Sequence, residues 1–501
     1  ARASYAAYLQ GRSNMSIMSP SDVGAVRHRL TVLALAFTLL AAACSGSDST
    51  SEGDSSSVAA DDSSTEDTST DDSAAASTDD SSTDSTEDSA SESEDSAESD
   101  EPLTASYRGI TETEIHIGVA MLDFDALKEF KLVEEGWGDQ IVVYNALIDE
   151  INSRGGIHGR MIVPHFEHYS PLGSTEAEAA CTALTKDIET FAVLGGFQGP
   201  AEVANTCVVD INATVLIGGV QTAERLAVAQ APWVVVGASA GRVLQSMMSV
   251  LDQDGRVAGR QVAVVGAVDR EEVFDSASDI LSEFGVSPVI EIFNDAPAGD
   301  VPATDARWEI IAENIRASGA DTVLLIGSTQ GGLRGIKAAG LDVEVWAADA
   351  TGLENLGRET TAEDADGALT VVALTDNQQW NHETMAPCRA IVAAAVPELP
   401  SKDPNDHVDG EERWYKSVHS YCRLVGAMET LLVGAGRNPT QDSLYAAIDN
   451  YGDGSLPGMP YVSLGPGKSD LNDTFQLAQY DVNEGEAGGL VSISDPVDVT
   501  P

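Results

Sequence analysis

The chain has 501 residues, of which 81 are acidic and 27 basic, for a net charge of −54, and 43% are hydrophobic. That length allows two or three domains with sizeable cores. The charge excludes a nucleic-acid binder, which needs a basic footprint to displace counterions, and excludes electrostatic docking on an anionic lipid surface.

The charge is unevenly placed. No Met precedes Met15, and Met15 and Met18 are candidate starts, which would leave the earlier residues untranslated. Arg27 and Arg29 stand before residues 30–43 (LTVLALAFTLLAAA), an uncharged run of 14 residues. A membrane span needs ~20 residues, whereas this length fits the apolar part of a signal peptide. The small residues 41–43 are followed by Cys44, Ser45 and Gly46. This resembles the lipobox of bacterial lipoproteins, in which Cys44 would carry the lipid and become the first residue, although Ala41 stands where Leu is usual. An ordinary secretory signal with an incidental cysteine is the alternative. Residues 45–101 hold 20 acidic residues and no Lys, Arg or aromatic residue. They cannot bury enough apolar surface to offset their ordering entropy. The expected organisation is therefore a signal peptide over 1–44 and a disordered, solvated tether over 45–105.

From residue 114 the pattern changes. Strands are predicted at 114–121, 161–169, 191–196, 213–219, 233–237, 261–267, 286–293, 322–327, 343–348 and 368–374. Helices are predicted at 140–152, at 174–188 with Ser174 as N-cap, near 201–210, from 238 through 251, and at 271–284, 304–318 and 330–339. Two more helices follow at 414–434 and 441–450, then short strands within 461–480. Pro, Gly and acidic clusters mark loops at 295–303 and 399–412. Strands alternating with helices of this length imply parallel sheets covered on both faces. More than ten strands exceed one ordinary open sheet. The fold class is α/β, with two Rossmann-like lobes built on central, mostly parallel sheets. In such sheets ligands sit beyond the carboxyl ends of the strands, which singles out residues 122–125, 196–200, 220–223, 268–272, 328–331 and 349–352.

Four cysteines follow Cys44. An even count in an exported chain points to two disulfides. Of the three pairings, Cys181–Cys207 with Cys388–Cys422 is favoured, because each pair lies within one helix–loop–helix stretch. Four free thiols are the alternative, and no C-x₂₋₄-C spacing marks a zinc site. Residues 237–241 (GASAG) place Ser239 in a G-x-S-x-G between strand and helix, the context of a nucleophile elbow. His382, His407 or His419 would complete a triad. The competing reading is a turn built of small residues. His165 and His168 lie three apart on a strand and face opposite sides, so no metal pair is expected. Residues 403–412 (DPNDHVDGEE) have Val408 where a calcium loop needs Gly. No phosphate-binding glycine loop occurs, so neither nucleotide nor other cofactor is expected.

Residues 148–160 (IDEINSRGGIHGR) carry a helix end, a GGIxGR turn and the start of a strand. This resembles the type I periplasmic-binding-protein fold, in the leucine/isoleucine/valine-binding branch of ABC transporter substrate-binding proteins. Segments 182–195 (TALTKDIETFAVLG), 216–226 (LIGGVQTAERL), 262–285, 333–341 (LRGIKAAGL) and 462–480 (VSLGPGKSDLNDTFQLAQY) follow in the same order, so the resemblance spans roughly 113–490. It implies two lobes joined by three crossings and closing by hinge motion. It also implies a monomer that binds a small molecule without catalysis and delivers it to a membrane permease. Lobe 1 is expected at 106–238 and 361–455, lobe 2 at 239–360 and 456–491, and a tail at 492–501. The resemblance places ligand contacts at Gly199, Val220 and Thr222, flanked by Gln198 and Gln221. Asp123 and Phe124 would wall the pocket, and Glu271, Ser328, Asp349 and Thr351 would face them from lobe 2, with Asp349 or Glu271 available to an ammonium group. The family's Ser-rich run is replaced by Gln198-Gly199-Pro200, and no Tyr stands near Glu271. Those departures leave an amide, a small peptide, a urea-like compound or an aromatic acid open as the ligand. A serine hydrolase at Ser239 and a ligand sensor for a membrane partner are the competing functions.

Overall fold

In the computed structural model, which describes residues 101–501 apart from 298, 355, 358 and 485–487, the β-branched run after Thr113 is an interior strand of an open sheet. The signal segment with Cys44, and most of the 45–105 tether, lie outside the described residues. Strands β1 (Glu114–Leu122), β2 (Met161–Tyr169), β3 (Ala192–Gly195), β4 (Val215–Gly218) and β5 (Trp233–Val234) pair in the order β2-β1-β3-β4-β5, all parallel. Helix α1 (Gln140–Ser153) starts at Asp139, whose carboxylate accepts from the Val142 amide, and it buries Val143, Tyr144, Leu147, Ile148 and Ile151 against this sheet. Each such aliphatic side chain contributes ~1.5–3 kcal/mol when fully buried. The GGIxGR signature is a structural clip. A Cβ at Gly156 would meet the Arg160 carbonyl at 1.9 Å. The Arg160 side chain is buried and donates to the carbonyls of Thr104, Thr111 and Arg437.

The chain first crosses to the second lobe at residues 236–239. Helix α2 (Ala240–Gln253) leads to β6 (Val262–Ala267) and β7 (Ile290–Asn294), followed by α3 (Val301–Ser318) and then β8 (Thr322–Ile326), β9 (Glu344–Ala347) and β10 (Leu369–Val372). The order β7-β6-β8-β9-β10, again parallel, repeats the first sheet. After residues 373–375 the chain returns, and α4 (Ala386–Ala395), α5 (Trp414–Gly434), α6 (Gln441–Asp449) and the hairpin β11 (Gly452–Leu456)–β12 (Met459–Leu464) join the first-lobe core. A third crossing at 465–473 feeds β13 (Thr474–Asp481), antiparallel to β10, with β14 (Gly489–Ser492) and β15 (Val497–Asp498) pairing to it.

Several boundaries differ from the sequence expectation. The second crossing lies after Val372 and not at 360, because β10 is hydrogen-bonded between β9 and β13 in the second sheet. The third lies beyond Leu464 and not at 456, because Leu456, Met459, Val462 and Leu464 are buried in the first-lobe core. The 492–501 tail belongs to lobe 2, where Val499 is buried. Helix 174–188 is capped at Gly173, with Ser174 its first residue, and widens into a π-helix at Ala183–Asp187. The 271–284 helix is two pieces, Glu271–Asp275 and Ala277–Glu283. Helix α3 begins inside the expected 295–303 loop, because the Asp300 carboxylate accepts from Ala303 N at 3.1 Å and Pro302 suits a first turn. The cysteines pair as Cys181–Cys207 and Cys388–Cys422, with Cα separations of 6.4 and 6.1 Å.

Crossings one and three run side by side: Val235 N donates to Ser469 O, and Leu471 N to Val235 O, both at 2.9 Å. Asp470 accepts from Ser239 N at 2.7 Å. Arg242 on α2 bonds Asp473 and lies 3.5 Å from Asp470, and Lys468 lies 3.2 and 3.3 Å from the two carboxylates. This buried ionic bundle sits where the lobes join.

Candidate ligand-binding cleft

Both sheets switch direction beside their first strand, between β1 and β3 in lobe 1 and between β6 and β8 in lobe 2. A crevice opens at such a switch point beyond the strand ends. In lobe 1 the crevice is a chamber of about 290 Å³. Its rim comes from the ends of β1 (Ala120, Leu122), β3 (Gly195, Gly196) and β4 (Gly218, Gly219). Glycine is required at the rim: Gly196 has φ +68°, and a Cβ there would lie 2.6 Å from Gly219 Cα. Buried Asn205 fixes the loop after β3, accepting from Phe197 N and donating to Phe197 O, both at 2.8 Å.

The chamber walls are aromatic. Trp137, Tyr144, Tyr169 and Tyr421 line it, and Tyr144 stacks on Tyr421 with ring centroids 4.0 Å apart. The Tyr421 hydroxyl donates to Gln140, and Gln140 donates to the Leu122 carbonyl at 2.8 Å. The Tyr169 hydroxyl donates to Gly196 O at 3.1 Å. The Tyr144 hydroxyl is buried and, among the described residues, has no hydrogen-bond partner. Burial pushes the Tyr144 and Tyr421 hydroxyls well above the usual tyrosine range, so both are neutral donors. Residues from all three crossings complete the lining: Val236 and Gly237, Ala373 and Leu374, and Asn472. Among the described residues of the lining Arg423 is the one that is charged, and none is Asp or Glu.

The residues expected from the sequence fall in different places. Gln198 lines the chamber. Gln221, Thr222 and Glu271 line a wider groove between the lobes, together with Ser239, Arg242 and Arg270. Thr222 caps the helix Ala223–Val228, its hydroxyl accepting from Arg225 N at 3.3 Å. Gln221 donates to Trp233 O and accepts from the Ser469 hydroxyl. Asp349 and Thr351 line a pocket at the strand ends of lobe 2 with Arg270 and Glu354, and burial together with Asp349 raises the Glu354 carboxyl. Asp123 caps a helix, accepting from Ala126 N at 2.9 Å, and Phe124 is core, packed on Trp137. Gly199 opens a 3-10 turn, the Val220 carbonyl accepts from Arg225, and the Ser328 amide donates to Asp269. These last five residues line none of the three cavities.

The triad reading fails on geometry. Among the described residues His382 is bonded to Thr384 and His407 to Glu135, His419 Nδ1 lies 3.7 Å from Asp376, and none of the three is hydrogen-bonded to Ser239. Ser239 sits at the first crossing as a small-residue turn. Glu135, His407 and Asp409 bring three ligand-type atoms together, but Glu135 is already engaged by Arg413 at 2.6 Å and by the Gly410 amide. The cluster ties the 403–412 loop to lobe 1.

Sequence reasoning missed the aromatic walls and Arg423.

No protein-family profile matches the chain, and no curated protein matches it. Solved structures do match. One is an ABC transporter substrate-binding protein from Desulfitobacterium hafniense, 15% identical with a TM-score of 0.49, covering 76% of this chain and 100% of that one. A second is the leucine-, isoleucine-, valine-, threonine- and alanine-binding protein from Brucella ovis, 14% identical with a TM-score of 0.48, covering 77% and 95%. A third is a solute-binding protein of an ABC transporter from R. palustris in complex with 4-hydroxybenzoate, 14% identical with a TM-score of 0.46, covering 77% and 98%. The two-lobed fold rests on this chain's own topology.

Proposed function

We propose that the chain is an extracytoplasmic solute-binding protein, lipid-anchored through Cys44, that captures one small molecule between its lobes and delivers it to the permease of an ABC transporter. The observation that carries this reading is the lining of the chamber. It combines strand ends of lobe 1 with residues of all three crossings, so a ligand there touches the segments that must bend when the lobes close. Binding energy is thereby coupled to hinge motion. A volume near the small end of ligand pockets, ~300–1,000 Å³, suits a molecule the size of an amino acid or an aromatic acid. In this reading the protein binds its ligand without turning it over, and Ser239 serves as a small residue of the first crossing. The anchor rests on residues 27–46 of the sequence, and among the described residues no helix is long and apolar enough to cross a membrane.

Thermal-shift screening of amino acids, amides and small acids tests the reading. A ligand at a hundredfold its Kd stabilises by ~2.7 kcal/mol, and the compound should be recovered unchanged. No shift across the panel would sink the proposal. Fluorophosphonate labelling of Ser239 would revive the hydrolase. Incorporation of a fatty-acid analogue, abolished by Cys44→Ala, checks the anchor.

A further inference from the structure

In a chain where residues 102–501 hold 60 acidic and 23 basic side chains, a chamber without a single carboxylate needs an explanation. Its one charge is Arg423, on the face of α5 that also presents Ser420, Tyr421 and Leu424. Arg423 is held in place by neutral oxygens: Nε donates to the Pro457 carbonyl at 3.1 Å, and Nη2 donates to Gln379. Among the described residues no carboxylate lies within ion-pair distance of it. Asp376, which acts on it from farther away, is itself paired with Lys416 at 2.6 Å and lies 3.7 Å from His419 Nδ1. Burial pulls the Arg423 guanidinium down to about 10, so it stays charged at neutral pH while lacking full solvation. A partly desolvated cation without a counter-ion is costly unless something supplies the anion.

We infer that Arg423 is the anchor for the carboxylate of a small aromatic acid, whose ring packs against Trp137, Tyr144 and Tyr421. This rests on the solute-binding reading above and names its ligand class. A guanidinium suits a carboxylate because its planar fork matches the two oxygens. The stacked tyrosines offer flat apolar walls to a ring, and the unpartnered Tyr144 hydroxyl offers one more donor. An α-amino acid fits less well: its ammonium group, next to its carboxylate, would lie beside Arg423 with no acid in the chamber to offset it.

The test is calorimetric titration of the full chain with benzoate and phenylacetate. Benzamide serves as a neutral isostere and L-phenylalanine as a zwitterion. The acids should bind at least tenfold more tightly than benzamide and phenylalanine. Arg423→Gln should lose at least tenfold for the acids and clearly less for benzamide, and Arg423→Lys should fall between. The wild-type comparison of acid with amide does not depend on the variants folding. Benzamide or phenylalanine binding as tightly as the acids, or acids binding Arg423→Gln undiminished, overturns the inference and leaves the solute-binding reading standing. If no compound here or in the wider screen binds, both fall.

Discussion

Asp473→Asn removes one charge from the buried bundle at the lobe junction. Asp473 is 0% exposed and accepts from Arg242 and from the Ser463 hydroxyl at 2.5 Å, with Lys468 Nζ 3.3 Å away. The amide keeps an acceptor for one donor but leaves Arg242 and Lys468 to share Asp470. The charge-assisted part of the Arg242 bond is worth ~1.5–3 kcal/mol. Breaking one partner of a buried pair costs ~3–5 kcal/mol in total, because the other charge is left uncompensated. About 3 kcal/mol is therefore expected, read as a fall in the urea midpoint by tryptophan fluorescence. Asp305→Asn is the control. Its pair with Arg334 spans 2.9 Å, but its side chain is 52% exposed, and such pairs are worth ~0–1 kcal/mol. The paired change Arg242→Met with Asp473→Leu should recover part of the loss. If Asp473→Asn shifts the midpoint no more than Asp305→Asn, the bundle does not hold the crossings and the reasoning fails.

Asp376 gives a pH prediction. Burial alone would raise its carboxyl, but the nearby His419 ring and the Lys416 ammonium paired with it outweigh this and hold it at about 2, below the usual 3.8. A folded value below the unfolded one means stability that is present above about pH 4 and lost as pH falls towards 2. With a third of the side chain exposed, the discounted contribution is about 1–2 kcal/mol, and Asp376→Asn should lose it at pH 7 and flatten acid unfolding in that window. An unchanged acid profile counts against the pairing. Tyr144→Phe removes a buried hydroxyl with no partner, so calorimetric stability without ligand should rise by ~1 kcal/mol while ligand affinity falls; lower stability would mean the hydroxyl is satisfied after all. Replacing both Cys181 and Cys207 by Ala opens a link across a separation of 26 residues, and loop entropy puts the cost at ~3–4 kcal/mol. Equal denaturation midpoints for this variant and the parent would refute that.

The parallel strands and most helices were legible because buried strands read as β-branched runs and covering helices as apolar stripes, as residues 114–122 and 140–153 show. The crossings were less so. Whether residues 369–372 belong to one sheet or the other is decided by their ladder to β9 and β13, which no local pattern encodes. The site was only partly legible. Rules about strand ends pointed to Gln198 and to the loops around Thr222 and Asp349. Tyr144 reads as one more core residue on the inner face of α1, and it is fully buried. Its role in the chamber arises only when α5 returns from far along the chain and stacks Tyr421 against it. Arg423 reads as a surface residue for the same reason, since what surrounds it comes from residues 379, 457 and 458. Thr222, one of the contacts expected from the sequence, caps a helix and lines the wider groove instead.

The most direct test of the central claim is calorimetric titration of the tightest compound from the screen into the parent chain and into Ser420→Trp, which fills the chamber from α5. The account predicts saturable binding of one molecule per chain, with the compound recovered intact, and no heat above dilution in Ser420→Trp. Undiminished binding by a folded Ser420→Trp protein, or consumption of the compound by the parent, would contradict it.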